Sequence, residues 1–376
     1  MLDAAGTRLR ADLLNLFHEP VDSVLDDVVF DRHARACFAY QYERNSPYRA
    51  YCNHRGRSPE RLTHWLQIPP VPTAAFKEVD LIAGSTSAVE AVFHTSGTTE
   101  GLERRGTHHI LDLSLYNLSL IPNFAARLLP DDAEMPILSL VPRASELPDS
   151  SLALMIAVIM ERLGNEQCEY FATARDGIDF ERLETALRRF AADGVPVCIV
   201  GTSFSFVHWI DSMTERNAHF VLPPGSRLMD TGGYKSRSRE VPAELMLTSY
   251  EELLGVPSEA CVNEYGMTEL CSQMYDITLS ERVRHGATAT RRKRPPPWLR
   301  VRIVDPLTLE PVEPGATGLV QMFDLANVGS VCAVQTEDLG VQIEDGYRLL
   351  GRAPGAQPRG CSIAMDDLLN AVRKKP

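Results

Sequence analysis

Residues 180–200 read FERLETALRRFAADGVPVCIV, and the two halves obey different periods. Phe180, Leu183, Leu187 and Phe190 recur at helical spacing, so they line one face of a helix. Gly194 follows where a helix end favours a residue tolerant of left-handed φ. Residues 195–200 then form a short apolar run of strand character, with Pro196 near its start, where a missing N–H does least harm. The same order recurs downstream. A helical pattern covers residues 243–254, Gly255 and Pro257 break it, and a short strand is expected over residues 260–263. Helix then strand, repeated, predicts an α/β layered domain. No internal repeat of roughly 20 to 50 residues is visible.

On either side of this core the text changes. Residues 1–70 read as mostly helical and polar, ending at the breaker run Ile68-Pro69-Pro70-Val71-Pro72. The basic tetrad Arg291-Arg292-Lys293-Arg294 leads through Pro295-Pro296-Pro297-Trp298 into a β-rich segment at residues 299–304. The tetrad is read as a solvated loop, in preference to a docking patch for a phosphate or partner. Residues 362–375 carry Ile363, Met365, Leu368, Leu369 and Val372 at helical spacing, with Ser362 as the expected N-cap.

Bulk properties exclude whole classes. The 376 residues are enough for a substantial core, and a net charge of −12 argues against a nucleic-acid surface. An acidic chain can still hold phosphate in a nest of backbone N–H groups. Eight cysteines contain no C-x-x-C pair, so neither a zinc ribbon nor a thioredoxin-type motif is present. The longest apolar run, residues 152–160, falls far short of the roughly 20 residues a membrane span needs, so no membrane insertion is expected. No leader pattern opens the chain, and a cytoplasmic location with reduced thiols is the expectation.

Four segments carry candidate chemistry. His94-Thr95-Ser96-Gly97-Thr98-Thr99-Glu100-Gly101 follows the apolar run Ala91-Val92-Phe93. Glycines there let backbone N–H groups turn towards an anion, and the hydroxyls add donors without bulk. It is not a Walker loop. Asn263-Glu264-Tyr265-Gly266-Met267-Thr268-Glu269 offers an aromatic face for a base and a carboxylate for Mg²⁺. Thr336-Glu337-Asp338-Leu339-Gly340 is an acidic turn suited to ribose hydroxyls, and Gly351-Arg352 closes the series. Each alone reads equally well as an ordinary turn.

Their order is what discriminates. Thr95 to Thr99, then Gly232-Gly233-Tyr234, then Tyr265 to Glu269, then Thr336 to Asp338, then Gly351-Arg352 resembles the adenylate-forming superfamily of acyl-CoA synthetases, adenylation domains and luciferases. That resemblance implies an α/β fold with a large layered N-terminal body, residues 1–345, and a truncated C-terminal appendage, residues 346–376. It also implies ATP and Mg²⁺ as cofactors. Thr95, Ser96, Gly97, Thr98 and Thr99 would close over the ATP phosphates, and Gly232 and Gly233 would flank the adenine. Tyr265, followed by Gly266, would stack on the adenine. Thr268 would touch the α-phosphate, Glu269 would hold Mg²⁺, Asp338 would bind the ribose hydroxyls and Arg352 would lie close to the ribose. Where the superfamily's loop continues with Gly and then Lys, this chain has Glu100 and then Arg104-Arg105.

A narrower resemblance rests on Pro72 to Lys77, Asp230 to Lys235, Pro296-Pro297-Trp298, Asp324-Leu325-Ala326-Asn327 and Arg359-Gly360-Cys361. These look like the acyl-protein synthetase (LuxE) family. It implies a ligase that adenylates a fatty acid and passes the acyl group, as a thioester, to a cysteine near the carboxyl terminus, here Cys361. A reductase subunit, a carrier protein or another acceptor would then take it. The alternatives are a direct acyl-CoA, carrier-protein or amide ligase in which Cys361 is structural, and a non-catalytic nucleotide-binding subunit. Phe204, Phe206, His208 and Trp209 are read as core in preference to the lining of an acyl pocket.

Overall fold

The computed structural model describes residues 3–95, 105–232, 241–286, 288–352 and 359–373, with side chains of the last helix from 362 to 372. The chain divides into two compact units. Met1–Leu120, Met267–Gln273 and Arg294–Pro376 form one, Ile121–Gly266 and Met274–Lys293 the other.

The second unit is built on strands that in sheet order are Met274–Asp276, Cys261–Tyr265, Arg227–Thr231, Cys198–Thr202, Ile137–Ser139 and Glu169–Tyr170. Every neighbouring pair is parallel except the first. Parallel neighbours need crossovers, and four helices supply them: Ser151–Leu163, Phe180–Asp193, Ser203–Glu215 and Ala243–Leu254. The Phe180–Asp193 helix is capped by the Asp179 side chain, which accepts from Arg182 N, and stopped by Gly194 at φ 69°. Leu183, Leu187 and Phe190 are fully buried, each stabilising the fold by about 1.5–3 kcal/mol. The following strand begins only at Cys198, so Pro196 stays out of the ladder. The Ala243–Leu254 helix has the expected bounds and ends on Gly255 at φ 67°. Of the four residues read as core, Phe206 and Trp209 are fully buried, whereas Phe204 is half-buried and His208 is exposed at the helix surface, so the core reading fails for His208.

In the first unit, helices Ala4–Phe17, Asp27–Arg44 and Ser46–His54 bear out the helical reading of the amino-terminal segment. Strands Leu299–Val304, Thr317–Asp324, Ala333–Ile343 and Gly346–Arg352 form an antiparallel meander, and Val71–Pro72 adds in parallel at Val334 and Gln335. The hairpin Ala91–His94 with Thr107–Ile110 stands apart from them. Among the described residues no helix is long and apolar enough to cross a membrane.

Two local expectations need correction. The basic tetrad is not a solvated loop. Lys293 is buried and donates to Asn263 O at 2.6 Å and Asp276 Oδ1 at 3.0 Å. Arg291 donates to Asp276 Oδ2 and to Cys261 O, each at 2.7 Å. A buried cation must be paired, and Lys293 is; the half-buried Arg291 shares the same carboxylate. The second correction concerns the terminal helix, which runs Arg359–Arg373 and so starts before Ser362. Ser362 is therefore inside the helix and not its N-cap. This helix packs on Ser46–His54, where Asp367 meets Arg55 Nη2 at 2.9 Å and His54 Nε2 at 3.5 Å.

Candidate active site

The expected site residues fall in both units, and each unit has its own geometry. In the second unit, Thr231 and Glu264 are Cα partners at the carboxyl ends of adjacent parallel strands. Gly232 lies just past the first of these strands, and Tyr265, paired with Met274, is the last residue of the second, so the two residues expected around the adenine stand at neighbouring strand ends. Carboxyl ends of parallel strands are where α/β proteins bind ligands. Gly232 has φ 77°, a backbone state that glycine tolerates best, and its carbonyl accepts from Ser203 Oγ at 2.9 Å. Glu264 accepts a short hydrogen bond from the Thr231 hydroxyl. Burial raises the Glu264 carboxyl to about 7, with the Thr231 bond opposing that shift. Beneath them, Asp230 accepts from Asn263 Nδ2 at 2.7 Å and Tyr250 OH at 3.2 Å, and burial again raises its carboxyl. Gly233 lies outside the described residues, and Gly266 is the first residue beyond the strand that ends at Tyr265.

In the first unit, the Ala91–His94 strand ends at Thr95, whose N–H donates to Gly106 O at 2.9 Å. Thr95 Oγ1 accepts from Gly106 N at 2.8 Å. Arg105 Nε donates to Thr95 O at 2.6 Å, and its Nη2 donates to His94 O at 3.2 Å. Arg105 thus clamps the base of the expected phosphate loop. Ser96, Gly97, Thr98, Thr99, Glu100 and Arg104 lie outside the described residues.

Thr268 and Glu269 sit in a short segment tied to the same hairpin. His108, fully buried, places Nδ1 2.6 Å from Thr268 O and Nε2 3.0 Å from Asn327 Oδ1. Asn327 Nδ2 donates to Glu269 O at 2.9 Å. Burial pushes the His108 imidazole down to about 4, opposed by its contacts to Thr268 O and Asn327 Oδ1, and its Nδ1–H is the donor to Thr268 because a carbonyl oxygen can only accept. Sequence reading missed His108. The available signal was the adjacent pair His108-His109 in a short strand, where successive side chains point to opposite faces; His108 is buried and His109 half-buried. Asp338 and Arg352 are Cα partners across antiparallel strands.

Among the described residues, no group of three or more His, Cys, Asp or Glu side chains gathers as a metal cage. A single carboxylate such as Glu269 still suits Mg²⁺, which commonly arrives on a polyphosphate and keeps only one or two protein ligands.

Seven cysteines have described side chains, all of them free thiols. Burial pushes every one of those thiols up, Cys198 and Cys332 to about 12. They behave as small apolar groups. The backbone puts Cys361 in the first turn of the terminal helix, and its side chain lies outside the described residues.

Comparison with known proteins follows the same lines. Residues 11–370 match the family described as acyl-protein synthetase, LuxE. The long-chain-fatty-acid–luciferin-component ligase of Aliivibrio fischeri is 24% identical over 356 residues, covering 90% of this chain and 88% of the relative. The ligase of that name from Vibrio harveyi is 24% identical over 357 residues, with the same two coverages. Among solved structures, 2-hydroxyisobutyryl-CoA ligase in an open conformation, with 2-HIB-AMP and CoA, is similar at a TM-score of 0.61 and 16% identity. That match covers 89% of this chain and 79% of the ligase. In the thioesterification state the same ligase gives a TM-score of 0.60 at 15% identity, over 88% of this chain and 69% of the other. The fold is that of the adenylate-forming enzymes.

Proposed function

From the premise that this chain belongs to the acyl-protein synthetase (LuxE) family, we propose that it activates a fatty acid with ATP and then takes the acyl group onto Cys361. In the first step a carboxylate oxygen attacks the α-phosphorus and pyrophosphate leaves. In the second the Cys361 thiolate attacks the acyl carbon, AMP leaves, and a thioester remains. Thr95 to Thr99 would close over the phosphates, Gly232 and Gly233 would flank the adenine, and Tyr265 would stack on it ahead of Gly266. Thr268 would contact the α-phosphate, while Asp338 and Arg352 would hold the ribose. Mg²⁺, held by Glu269 together with the phosphates, would supply neutralisation of the polyphosphate charge. The protein's own contribution is positioning and charge stabilisation.

The observation that carries this reading is the family match over residues 11–370. The cysteine inventory supports its second step. All seven described thiols are held protonated by burial, whereas Cys361 sits in a helix's first turn, where the dipole favours a thiolate. A reductase, a carrier protein or another acyl acceptor would collect the product. ATP–pyrophosphate exchange across fatty, aryl and amino acids tests the first step: exchange peaking with fatty acids is expected. Exchange with none would leave a nucleotide-binding subunit, and exchange confined to amino acids would remove the fatty substrate.

A further inference from the structure

Four main-chain groups in the segment 268–272 are held by three buried side chains of the same unit. His108 takes Thr268 O and Asn327 takes Glu269 O, while Asp324 Oδ2 accepts from Cys271 N at 2.8 Å and from Ser272 N at 2.9 Å. His108, Asn327 and Asp324 are each at most 1% exposed. The holders are themselves held. Asn327 O accepts from Gln41 Nε2 at 2.7 Å, and Gln41 Oε1 accepts from Cys332 N at 2.9 Å. Phe76 meets the His108 ring edge-on at 5.7 Å.

Burying three polar side chains costs stability unless each is fully bonded, and an apolar filling would serve a core equally well. What the polar filling gives is direction. The carbonyls of Thr268 and Glu269 are consecutive, and turning either peptide plane would swing the hydroxyl and the carboxylate that those residues carry. Fixing both carbonyls from buried, immobile donors fixes both side chains at their roots.

We infer that His108 and Asn327 are positioning residues for adenylation, setting where the Thr268 hydroxyl and the Glu269 carboxylate stand relative to the ATP α-phosphate and its metal ion. The inference rests on the roles proposed above for Thr268 and Glu269. Neither His108 nor Asn327 touches the reacting atoms; each acts through the backbone of its neighbour.

The experiment compares wild type with His108→Ala, His108→Asn and Asn327→Ser. Asparagine at 108 keeps an N–H donor close to the place of imidazole Nδ1. Amide hydrogen exchange of the ligand-free protein should quicken by roughly 10- to 100-fold over residues 267–272 in His108→Ala and Asn327→Ser, without a matching change elsewhere. Maximal pyrophosphate exchange should fall by roughly the same factor with the KM for the acid unchanged, and His108→Asn should recover most of both. If His108→Ala does not melt cooperatively, the contrast between His108→Asn and Asn327→Ser carries the test. An active wild type matched by Asn327→Ser and His108→Ala in both readouts would overturn the inference alone. A wild type that exchanges no pyrophosphate with any acid would overturn the reading of the site, and the inference with it.

Discussion

Asp338 and Arg352 stand opposite each other as Cα partners on adjacent antiparallel strands. Two residues read from separate motifs as neighbours of one ribose therefore share a rung of one ladder. The register shifts immediately beyond them, between Leu339 and Gly340, where Gly351 takes φ 87°. Such irregularities re-aim side chains and are common beside active sites. The Asp338 backbone is steadied by its N–H, which donates to Thr336 Oγ1 at 3.2 Å, and Thr336 is itself buried.

A carboxylate accepting from both ribose hydroxyls contributes roughly 1.5–3 kcal/mol. Asp338→Ala is thus predicted to weaken ATP binding by about one to two orders of magnitude, measured by calorimetry. Wild type should likewise discriminate against 2′-deoxy-ATP. Equal use of the two nucleotides would remove the role given to Asp338.

Glu269→Gln is predicted to abolish pyrophosphate exchange while leaving the melting temperature within a few degrees. An amide lacks the charge that makes a carboxylate a good ligand for Mg²⁺. Titrating Mg²⁺ at fixed ATP is the decisive readout, and an unchanged Mg²⁺ dependence would end the assignment.

How much of this was legible beforehand depended on range in sequence. The helices Phe180–Asp193 and Ala243–Leu254 and the strand Leu299–Val304 were readable because their signals are local: an apolar period, and for the helices a glycine stop. Lys293 was misread because its partners, Asn263 and Asp276, come from other strands, and no local pattern announces them. The terminal helix began earlier than expected because Arg359 and Gly360 add nothing to the apolar period that starts at Ile363. Asp324 and Asn327 stood out only through the family resemblance; their service to the segment 268–272 needed coordinates.

The buried ion cluster gives a stability prediction. Lys293→Ala would leave Asp276 with only part of its compensation in a buried place, at a cost on the order of 3 kcal/mol. Urea denaturation at neutral pH measures it. A loss below about 0.5 kcal/mol is what a solvated loop would give, and would contradict the buried pairing.

Glu264 gives a pH prediction. Its carboxyl titrates near 7 in the fold against 4.5 as the ordinary value. Between those pH values the folded chain binds more protons than the unfolded one. The group's contribution is therefore complete below about 4.5 and is lost as pH rises through about 7. Glu264→Gln, neutral throughout, should lack that decline. His108, lowered to about 4 by burial, works in the opposite sense, so the difference between the wild-type and Glu264→Gln stability curves is the quantity to follow. Parallel curves across pH 4.5–7 would refute the buried, protonated carboxyl.

The central claim is a covalent acyl-enzyme, and intact-protein mass tests it most directly. After incubation with ATP, Mg²⁺ and a fatty acid that supports pyrophosphate exchange, wild type is predicted to gain the mass of one fatty-acid molecule less one water. Hydroxylamine should remove that gain, and Cys361→Ser should never show it while still exchanging pyrophosphate. Full exchange with no acyl mass on the wild-type protein, or the same mass on Cys361→Ser, would contradict the account.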